Sequence, residues 1–320
     1  CGENHYKSYF QGFSGDGPKA LTTFDAGFAI WNCATGQIQT EVNLDHRATD
    51  IRFLVQSSNV YVFGSESPIV IFGENGECVH KITPAKSVQH ASFSPDGKRI
   101  LYQTWEDSEL IDCTGTQISR LPRLGHLHFD PTGRYILGDL EGKQGIMVIS
   151  AESGEVLWHL GDDPTPIELA RFVAAGDRIC CSANEREIWV VDTLTGGLLH
   201  KLPHEDGLSQ FIQSPKGDRI WAYAGKHPYY WDVKDGRLIL KVDAYYLLSI
   251  PSFSKDRERF VVGQTRNGFL DVRDYSSGEL RGQMSFASED YQPKFVPGAQ
   301  KVACAKTDYS VGIWRLRTSA

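Results

Sequence analysis

Several features that mark metal sites, membrane spans or nucleic-acid surfaces are missing from this sequence. Its seven cysteines form no Cys-x-x-Cys pair, the spacing typical of structural zinc sites. No run of 18 apolar residues occurs, so no transmembrane helix is predicted. The 33 Lys and Arg residues are outnumbered by 40 Asp and Glu, and the net charge of −7 argues against a protein that binds nucleic acid through a basic surface.

Motifs that mark known catalytic sites are also absent. The chain has no Gly-x-Ser-x-Gly nucleophile elbow, no His-Glu-x-x-His motif, no Walker loop and no dinucleotide fingerprint. We therefore predict a protein that is not an enzyme and that holds neither a cofactor nor a metal. A site assembled from distant residues would leave no local motif, so an enzymatic or ligand-binding alternative stays open.

Long proline, serine or charge tracts are missing, so we predict one domain over residues 1–320. The sequence begins with Cys1 and Gly2 rather than with Met. This start resembles that of a mature bacterial lipoprotein, whose first cysteine carries lipid; a shortened chain that happens to begin at cysteine is the alternative. Residues 1–8 are then an anchor segment or a strand that closes the fold.

Eight copies of one pattern run through the chain. The clearest copy is the segment 93–100, Phe-Ser-Pro-Asp-Gly-Lys-Arg-Ile. An apolar anchor precedes the turn in each copy: Phe13, Phe53, Phe93, Phe129, Phe172, Ile212, Phe253 and Phe295. Successive anchors are 40, 40, 36, 43, 40, 41 and 42 residues apart. A period near 40 residues with strand-like units is typical of the blades of a β-propeller.

One repeat predicts four short strands, at residues 90–94, 99–104, 109–113 and 117–121. Proline presets the backbone of the first turn and glycine accepts its positive φ. A second glycine turn, as at Gly36, Gly154 and Gly196, joins the third and fourth strands. We predict an all-β propeller of eight four-stranded antiparallel blades, with seven blades as the alternative because the last repeat shows only three strands.

The Ser-Pro-Asp-Gly turn, the dipeptide Trp231-Asp232 and the Thr-Gly turns resemble those of the WD40 family and its bacterial YVTN-like relatives. The resemblance covers nearly the whole chain. The family's Gly-His element is mostly missing, although His46 and His204 fall where its histidine stands, and we interpret both as structural. The usual buried His-Asp-Trp network is therefore not expected in most blades.

The resemblance implies a binding face formed by the turns between second and third strands and by the connections between blades. On this face we predict an aromatic patch from the last three repeats, because tyrosine is enriched at protein interfaces. It comprises His227, Tyr229, Tyr230, Tyr245, Tyr246, Tyr291 and Tyr309. Burial between blades is the alternative for part of this set, and Tyr230, which precedes Trp231, is the strongest candidate for a core position.

A second predicted surface is acidic and comes from the fourth to sixth repeats. Its members are Asp162, Asp163, Glu185, Glu187, Glu205 and Asp206. It is either a solvated rim or a docking surface for a basic partner; a calcium site is a third alternative. Cys78 and Cys113 fall near outer strands of successive blades, where a disulfide is conceivable in an oxidising compartment.

These observations favour a non-catalytic scaffold for protein partners, anchored by lipid on Cys1 in the bacterial periplasm, at the inner leaflet of the outer membrane. We expect partners from an envelope complex, no nucleic-acid partner and a chain that is monomeric by itself. The alternatives are a small-ligand or enzymatic propeller, of the quinoprotein or lactonase kind, and an intracellular WD40 adaptor in the cytoplasm.

Overall fold

The computed structural model describes residues 9–14, 19–24, 27–45, 48–54, 58–64, 67–140, 145–161, 166–225, 227–242, 251–254, 258–262, 269–285, 294–295, 301–305 and 311–315. In this part of the chain every regular element is a β-strand except one 3₁₀ turn, Ala174–Gly176. No helix here has the length and apolar character that crossing a bilayer would require. The all-β prediction is confirmed.

The chain divides into two compact units, Cys1–Asp162 and Asp163–Ala320, which we describe separately. Unit 1 contains four sheets, each built from four consecutive antiparallel strands. Sheet 1 has β1 (Tyr9–Phe13), β2 (Lys19–Phe24), β3 (Gly27–Asn32) and β4 (Gln37–Asn43); sheet 2 has β5 (Asp50–Phe53), β6 (Val60–Phe63), β7 (Ile69–Phe72) and β8 (Cys78–Ile82). Sheet 3 has β9 (His90–Phe93), β10 (Arg99–Gln103), β11 (Ser108–Asp112) and β12 (Gln117–Leu121); sheet 4 has β13 (Leu124–Phe129), β14 (Tyr135–Leu140), β15 (Ile146–Ser150) and β16 (Val156–Leu160).

Unit 2 repeats the arrangement in three further four-stranded sheets and ends in a three-stranded one. Sheet 5 has β17 (Ile167–Val173), β18 (Arg178–Ala183), β19 (Glu187–Asp192) and β20 (Leu198–Pro203); sheet 6 has β21 (Leu208–Gln213), β22 (Arg219–Ala224), β23 (His227–Asp232) and β24 (Leu238–Lys241). Sheet 7 has β25 (Ser252–Phe253), β26 (Arg259–Val262), β27 (Phe269–Asp274) and β28 (Leu280–Ser285); sheet 8 has β29 (Lys294–Phe295), β30 (Lys301–Ala305) and β31 (Val311–Arg315).

The prediction of eight four-stranded blades is wrong: among the described residues seven sheets have four strands, and sheet 8 has three. All eight predicted apolar anchors do lie in the first strand of a sheet. The prediction of a single domain over residues 1–320 remains a prediction.

Sheets that follow one another within a unit pack face to face. In unit 1, one apolar cluster joins sheets 1 and 2, a second joins sheets 2 and 3, and a third joins sheets 3 and 4. In unit 2, clusters join sheets 5 and 6 and sheets 6 and 7. Middle strands such as β6 and β23 are therefore buried on both faces, whereas fourth strands such as β4 are exposed along one face.

The turn between first and second strands is fixed by one side-chain oxygen. In sheet 3, Ser94 Oγ accepts a hydrogen bond from the backbone N–H of Arg99 at 2.9 Å, and the N–H of Gly97 donates to Ser94 O at 2.8 Å. Gly97 has a φ of +69°, which glycine adopts without steric cost. Asp130, Ser214 and Ser254 act as Ser94 does in their own sheets. The predicted Ser-Pro-Asp-Gly turn is thus a local motif whose hydrogen bonds lie within the turn itself.

In a four-stranded meander, the turn between strands two and three and the connection that leaves strand four lie at the same end of the sheet. We call this the 2–3 end. It corresponds to the predicted binding face, and the turns between strands one and two and between three and four lie at the opposite end.

Candidate functional site

The described tyrosines of the predicted aromatic patch are buried. Tyr229 is 3% exposed and Tyr230 is fully buried, so neither offers a ring to a partner. The cause is the packing of β23 on both faces: Tyr229 stacks on Trp231 at 6.3 Å, and Tyr230 lies 4.8 Å from Phe260. The interpretation of Tyr230 as a core residue is confirmed, and the placement of Tyr229 on the binding surface is corrected.

Among the other members of the predicted sites, His227 belongs to the described residues and seven do not. His227 begins β23 at the 2–3 end of sheet 6 and is half-buried. Cys1, Asp162, Asp163, Tyr245, Tyr246, Tyr291 and Tyr309 lie outside the described residues. The prediction that they bind partners, or carry lipid in the case of Cys1, therefore stays a prediction.

The connection between sheets 5 and 6 presents two acidic side chains at the 2–3 end of unit 2. Glu205 and Asp206 are both exposed. The connection is fixed on one side by the turn of sheet 5, because the N–H groups of His204 and Leu208 donate to Arg186 O at 2.9 Å and to Glu185 O at 2.8 Å.

The same connection is also fixed by sheet 6. The N–H of Gly225 donates to Gly207 O at 3.1 Å, and the N–H of Glu205 donates to the hydroxyl oxygen of Tyr229 at 3.3 Å. We call Glu185, Glu205 and Asp206, on these adjoining loops, the acidic loops. Their exposed carboxylates stand on a backbone that hydrogen bonds hold from both sides.

Two acidic residues of the predicted surface form ion pairs with lysines, Glu205 with Lys241 and Glu187 with Lys201 at 3.6 Å. Lys241 Nζ lies 2.7 Å from Glu205 Oε2 and 5.4 Å from the centre of the Tyr229 ring. The hydrogen bond from Lys241 lowers the pKa of Glu205 below its ordinary value. Glu187 is half-buried and accepts a hydrogen bond from Trp189 Nε1 at 2.8 Å, which makes it a support within sheet 5 rather than a free docking group.

His204 occupies the position of the family's histidine but makes no network. Its side chain is 6% exposed, and its ring nitrogens have no hydrogen-bond partner among the described residues. The Nε1 of Trp231 likewise has no partner there. Among the described residues, neither His204 nor Trp231 therefore takes part in a His-Asp-Trp network.

Sequence reasoning missed the exposed Trp105, at the 2–3 end of sheet 3. Its side chain is 65% exposed, and the guanidinium of Arg123 lies 5.8 Å from the ring centre. Arg123 Nη1 also donates to Trp105 O. An indole left in water although tryptophan usually packs in the core is a strong candidate for a partner contact.

Hydrogen bonds and ion pairs of Asp107 stabilise the turn that carries Trp105. Thr104 Oγ1 donates to Asp107 Oδ1 at 2.8 Å, and the Thr104 N–H donates to Asp107 O at 2.8 Å. Arg120 Nε and Lys86 Nζ donate to the other carboxylate oxygen at 2.6 and 3.3 Å. The hydrogen bond from Thr104, with those of Arg120 and Lys86, holds the pKa of Asp107 below its ordinary value against the opposing effect of burial.

Cys33, Cys78, Cys113, Cys180 and Cys181 are free thiols, so Cys78 and Cys113 form no disulfide. Cys180 and Cys181 are fully buried, as expected of small core residues, and burial raises the pKa of Cys181 to about 12. A thiol with so high a pKa is a poor nucleophile. Within the described part of the chain no three His, Cys, Asp or Glu side chains are grouped closely enough to hold a metal ion.

Comparison with known proteins gives the fold. No family model matches the sequence, and no curated protein matches it. The structure is similar to the computationally designed Ika8 protein, at 16% identity and a TM-score of 0.61 over 98% of each chain. It is also similar to Kluyveromyces lactis Hsv2 with its complete loop 6CD, at 13% identity and a TM-score of 0.57, over 87% of this chain and 98% of Hsv2.

Hsv2 is a WD40 β-propeller domain. At these identities the similarity shows the fold alone. The chain therefore has a WD40-like β-propeller fold. The seven four-stranded sheets among the described residues fit the seven-blade alternative rather than eight blades.

Proposed function

We propose that this protein is a non-catalytic interaction platform that binds protein partners at the 2–3 end of its blades. The observation that carries the proposal is Trp105. Its indole is 65% exposed, yet ion pairs and hydrogen bonds to Asp107 fix the turn beneath it. A rigid exposed tryptophan loses little conformational entropy on binding, and tryptophan is enriched among residues that dominate interface energetics.

The fold supports the same proposal. WD40 propellers are typically protein-interaction domains, and turns held by a rigid scaffold commonly carry binding residues. The acidic loops of unit 2 are a second contact surface in this proposal. Glu185 and Asp206 there are exposed on a fixed backbone and would attract a partner with a basic surface.

A site-specific photocrosslinker tests the platform. We would place p-benzoylphenylalanine at position 105, and in a control variant at Val156, an exposed residue of an outer strand. Irradiation in the native host should give a discrete adduct from position 105 and none from position 156. The variant Asp107→Asn, which loosens the turn without touching the indole, should lower the yield of the adduct.

Two results would remove the proposal. Equal adducts from positions 105 and 156 would mean nonspecific contact, and no adduct from position 105 would mean that the indole meets no partner. The double variant Tyr245→Ala and Tyr246→Ala tests the predicted aromatic residues outside the described part of the chain. Its capture of the partner should fall while its melting temperature stays unchanged.

The proposal extends to attachment of the platform to the bacterial envelope through lipid on Cys1. It is supported by the resemblance of Cys1 and Gly2 to a mature lipoprotein start. Intact-mass spectrometry of the natural protein should show the mass of attached acyl chains on the peptide that contains Cys1. An unmodified Cys1, or residues that precede it, would refute the attachment while leaving the platform itself intact.

A further inference from the structure

The connection between sheets 5 and 6, residues 204–207, buries one side chain. Glu205, Asp206 and Gly207 are exposed, whereas His204 has 6% of its surface exposed. The apolar cluster that joins sheets 5 and 6 contains none of these residues. The connection can therefore detach by exposing one imidazole ring, without separating the two sheets.

Hydrogen bonds at the surface hold the connection in place. The N–H of Glu205 donates to the Tyr229 hydroxyl at 3.3 Å, and Gly207 O accepts from the N–H of Gly225 at 3.1 Å. The N–H of His204 donates to the turn of sheet 5 at 2.9 Å. A surface segment with few buried contacts opens at a much smaller free-energy cost than a packed sheet does.

The ring of His204 is held by packing, since both ring nitrogens are buried and have no hydrogen-bond partner among the described residues. The ring lies 6.1 Å from the ring of Tyr229. Burial lowers the pKa of His204 below its ordinary value, because the surroundings disfavour a charged imidazole. The closed connection therefore holds the neutral form.

The charges around this site favour a protonated ring once it reaches water. The titratable and charged groups on the surrounding elements are Glu185, Arg186, Glu187 and Lys201 in sheet 5, His227, Tyr229 and Lys241 in sheet 6, and Glu205 and Asp206 in the connection itself. Two of the carboxylates, Glu205 and Asp206, are exposed next to His204 in the chain. An imidazolium at the surface meets these carboxylates, whereas its buried position offers it no acceptor among the described residues.

We propose that the connection between sheets 5 and 6 opens at acidic pH: the imidazole of His204 takes up a proton from water and leaves its buried position, and residues 204–207 detach from the turns of both sheets. Opening displaces Glu205 and Asp206, so a basic partner bound to the acidic loops is released. This release rests on the proposed function, whereas the opening does not.

Proton binding gives the direction and size of the pH dependence. The open form has an ordinary histidine, whose pKa is about 6.5, and the closed form binds the proton more weakly. Below about pH 6.5 the open form therefore holds one proton more than the closed form. The ratio of open to closed connection then rises about tenfold for each unit by which the pH falls, and it stays constant above about pH 7.

Hydrogen–deuterium exchange of the free, full-length protein between pH 5 and pH 8 tests the opening. Mass spectrometry gives the protection of the amides at residues 204–208, corrected for the intrinsic pH dependence of exchange. Protection should be constant above about pH 7 and should fall about tenfold per pH unit below about pH 6.5. The turn at residues 104–107, which contains no histidine, is the internal control and should keep its protection.

Variants assign the proton to one histidine. His204→Phe keeps a ring in the buried position without a proton-binding group, so its protection should not change with pH; His204→Leu serves if the phenylalanine variant does not fold. His159→Phe removes an exposed imidazole of β16 and is the matched control, which should behave as the parent protein does. Protection that is independent of pH in the parent, or equally pH-dependent in a folded His204 variant, overturns the inference. Loss of the pH dependence in His227→Asn overturns it too, because the proton would then belong to His227.

Binding of a synthetic decalysine peptide tests the release separately. The parent protein should bind the peptide more weakly at pH 5.5 than at pH 7.5, and His204→Phe should bind it equally at both. Equal binding by the parent at both pH values, with the opening observed by exchange, would refute the release from the acidic loops and leave the opening established.

Discussion

Tyr275, in the turn between the third and fourth strands of sheet 7, donates its hydroxyl hydrogen to Ser214 Oγ in sheet 6 at 2.7 Å. The same hydroxyl contacts Asp218, and Lys216 lies 5.0 Å from the ring centre. The ring is 4% exposed. One side chain thereby joins a turn of sheet 7 to the Ser-Pro-Lys-Gly turn of sheet 6.

Replacing Tyr275 with Phe should reduce the free energy of unfolding by about 1–2 kcal/mol, because the ring keeps its contacts while the hydroxyl bonds are lost. Urea unfolding followed by tryptophan fluorescence measures the change. Tyr135→Phe is the control: Tyr135 is partly buried and lies beside Arg134, and its variant should change stability by less than about 0.5 kcal/mol. Equal effects in the two variants would show that the hydroxyl of Tyr275 contributes nothing.

The turn of Asp274 predicts a pH dependence of stability. Burial raises the pKa of this carboxyl, but hydrogen bonds from Ser276 and Ser277 and from Arg281 at 2.9 Å outweigh burial and hold the pKa well below its ordinary value. The ordinary value, which applies to the unfolded chain, is about 3.9. The stabilisation is therefore complete above about pH 4 and is lost as the pH falls towards the folded-state pKa.

Asp274→Asn should thus be less stable than the parent protein at pH 7 by about 1 kcal/mol, and the difference should shrink below about pH 4. Thermal unfolding at a series of pH values between 7 and 2 measures it. A difference that is constant across this range would mean that ionisation of Asp274 plays no part.

Local motifs made the strands predictable. The hydrogen bonds that close the turn lie within residues 94–99, so six residues determine it, and the strand predicted at 99–104 is observed as Arg99–Gln103. The three-stranded end of sheet 8 was also visible in the sequence, although the eight-blade prediction gave it a fourth strand. Repeats of this kind encode each sheet separately, which is why the order of the strands within a sheet is readable.

Side-chain exposure was less predictable, because both faces of a middle strand are covered by neighbouring sheets. Tyr229 and Tyr230 point to opposite faces of β23, and both are buried. The alternation of side chains along a middle strand such as β23 therefore does not predict which of them are exposed. Trp105 could have been found as an aromatic residue inside a turn, away from any repeated apolar position.

Truncation of Trp221 should destabilise the protein far more than truncation of Trp105. Trp221 is 1% exposed and packs 5.7 Å from both Tyr230 and Phe260, so Trp221→Ala should cost about 3–5 kcal/mol of unfolding free energy. Trp105→Ala removes only a contact with Arg123 and should cost less than about 1 kcal/mol. Chemical unfolding of both variants measures this. A large loss for Trp105→Ala would identify its indole as structural and would weaken its assignment as a partner contact.

His204 offers the last test, of how a buried ring without a partner affects stability. Its ring lies 6.1 Å from the ring of Tyr229, and burial lowers its pKa below the ordinary value. In the unfolded chain a histidine binds a proton below about pH 6.5. The unfolded state therefore binds more protons than the folded state, so stability decreases as the pH falls from about 6.5 towards the folded-state pKa.

His204→Phe fills the same space without nitrogens that lack partners. At pH 8 it should be as stable as the parent protein, or more stable by about 1 kcal/mol, since a buried polar group is replaced by an apolar one. As the pH falls from 7 to 5, the parent protein should lose stability relative to the variant, because only the parent must keep a neutral imidazole buried. Urea unfolding midpoints of both proteins at pH 8, 7, 6 and 5 measure this difference. A difference between the two midpoints that does not change with pH would contradict the burial of a neutral His204.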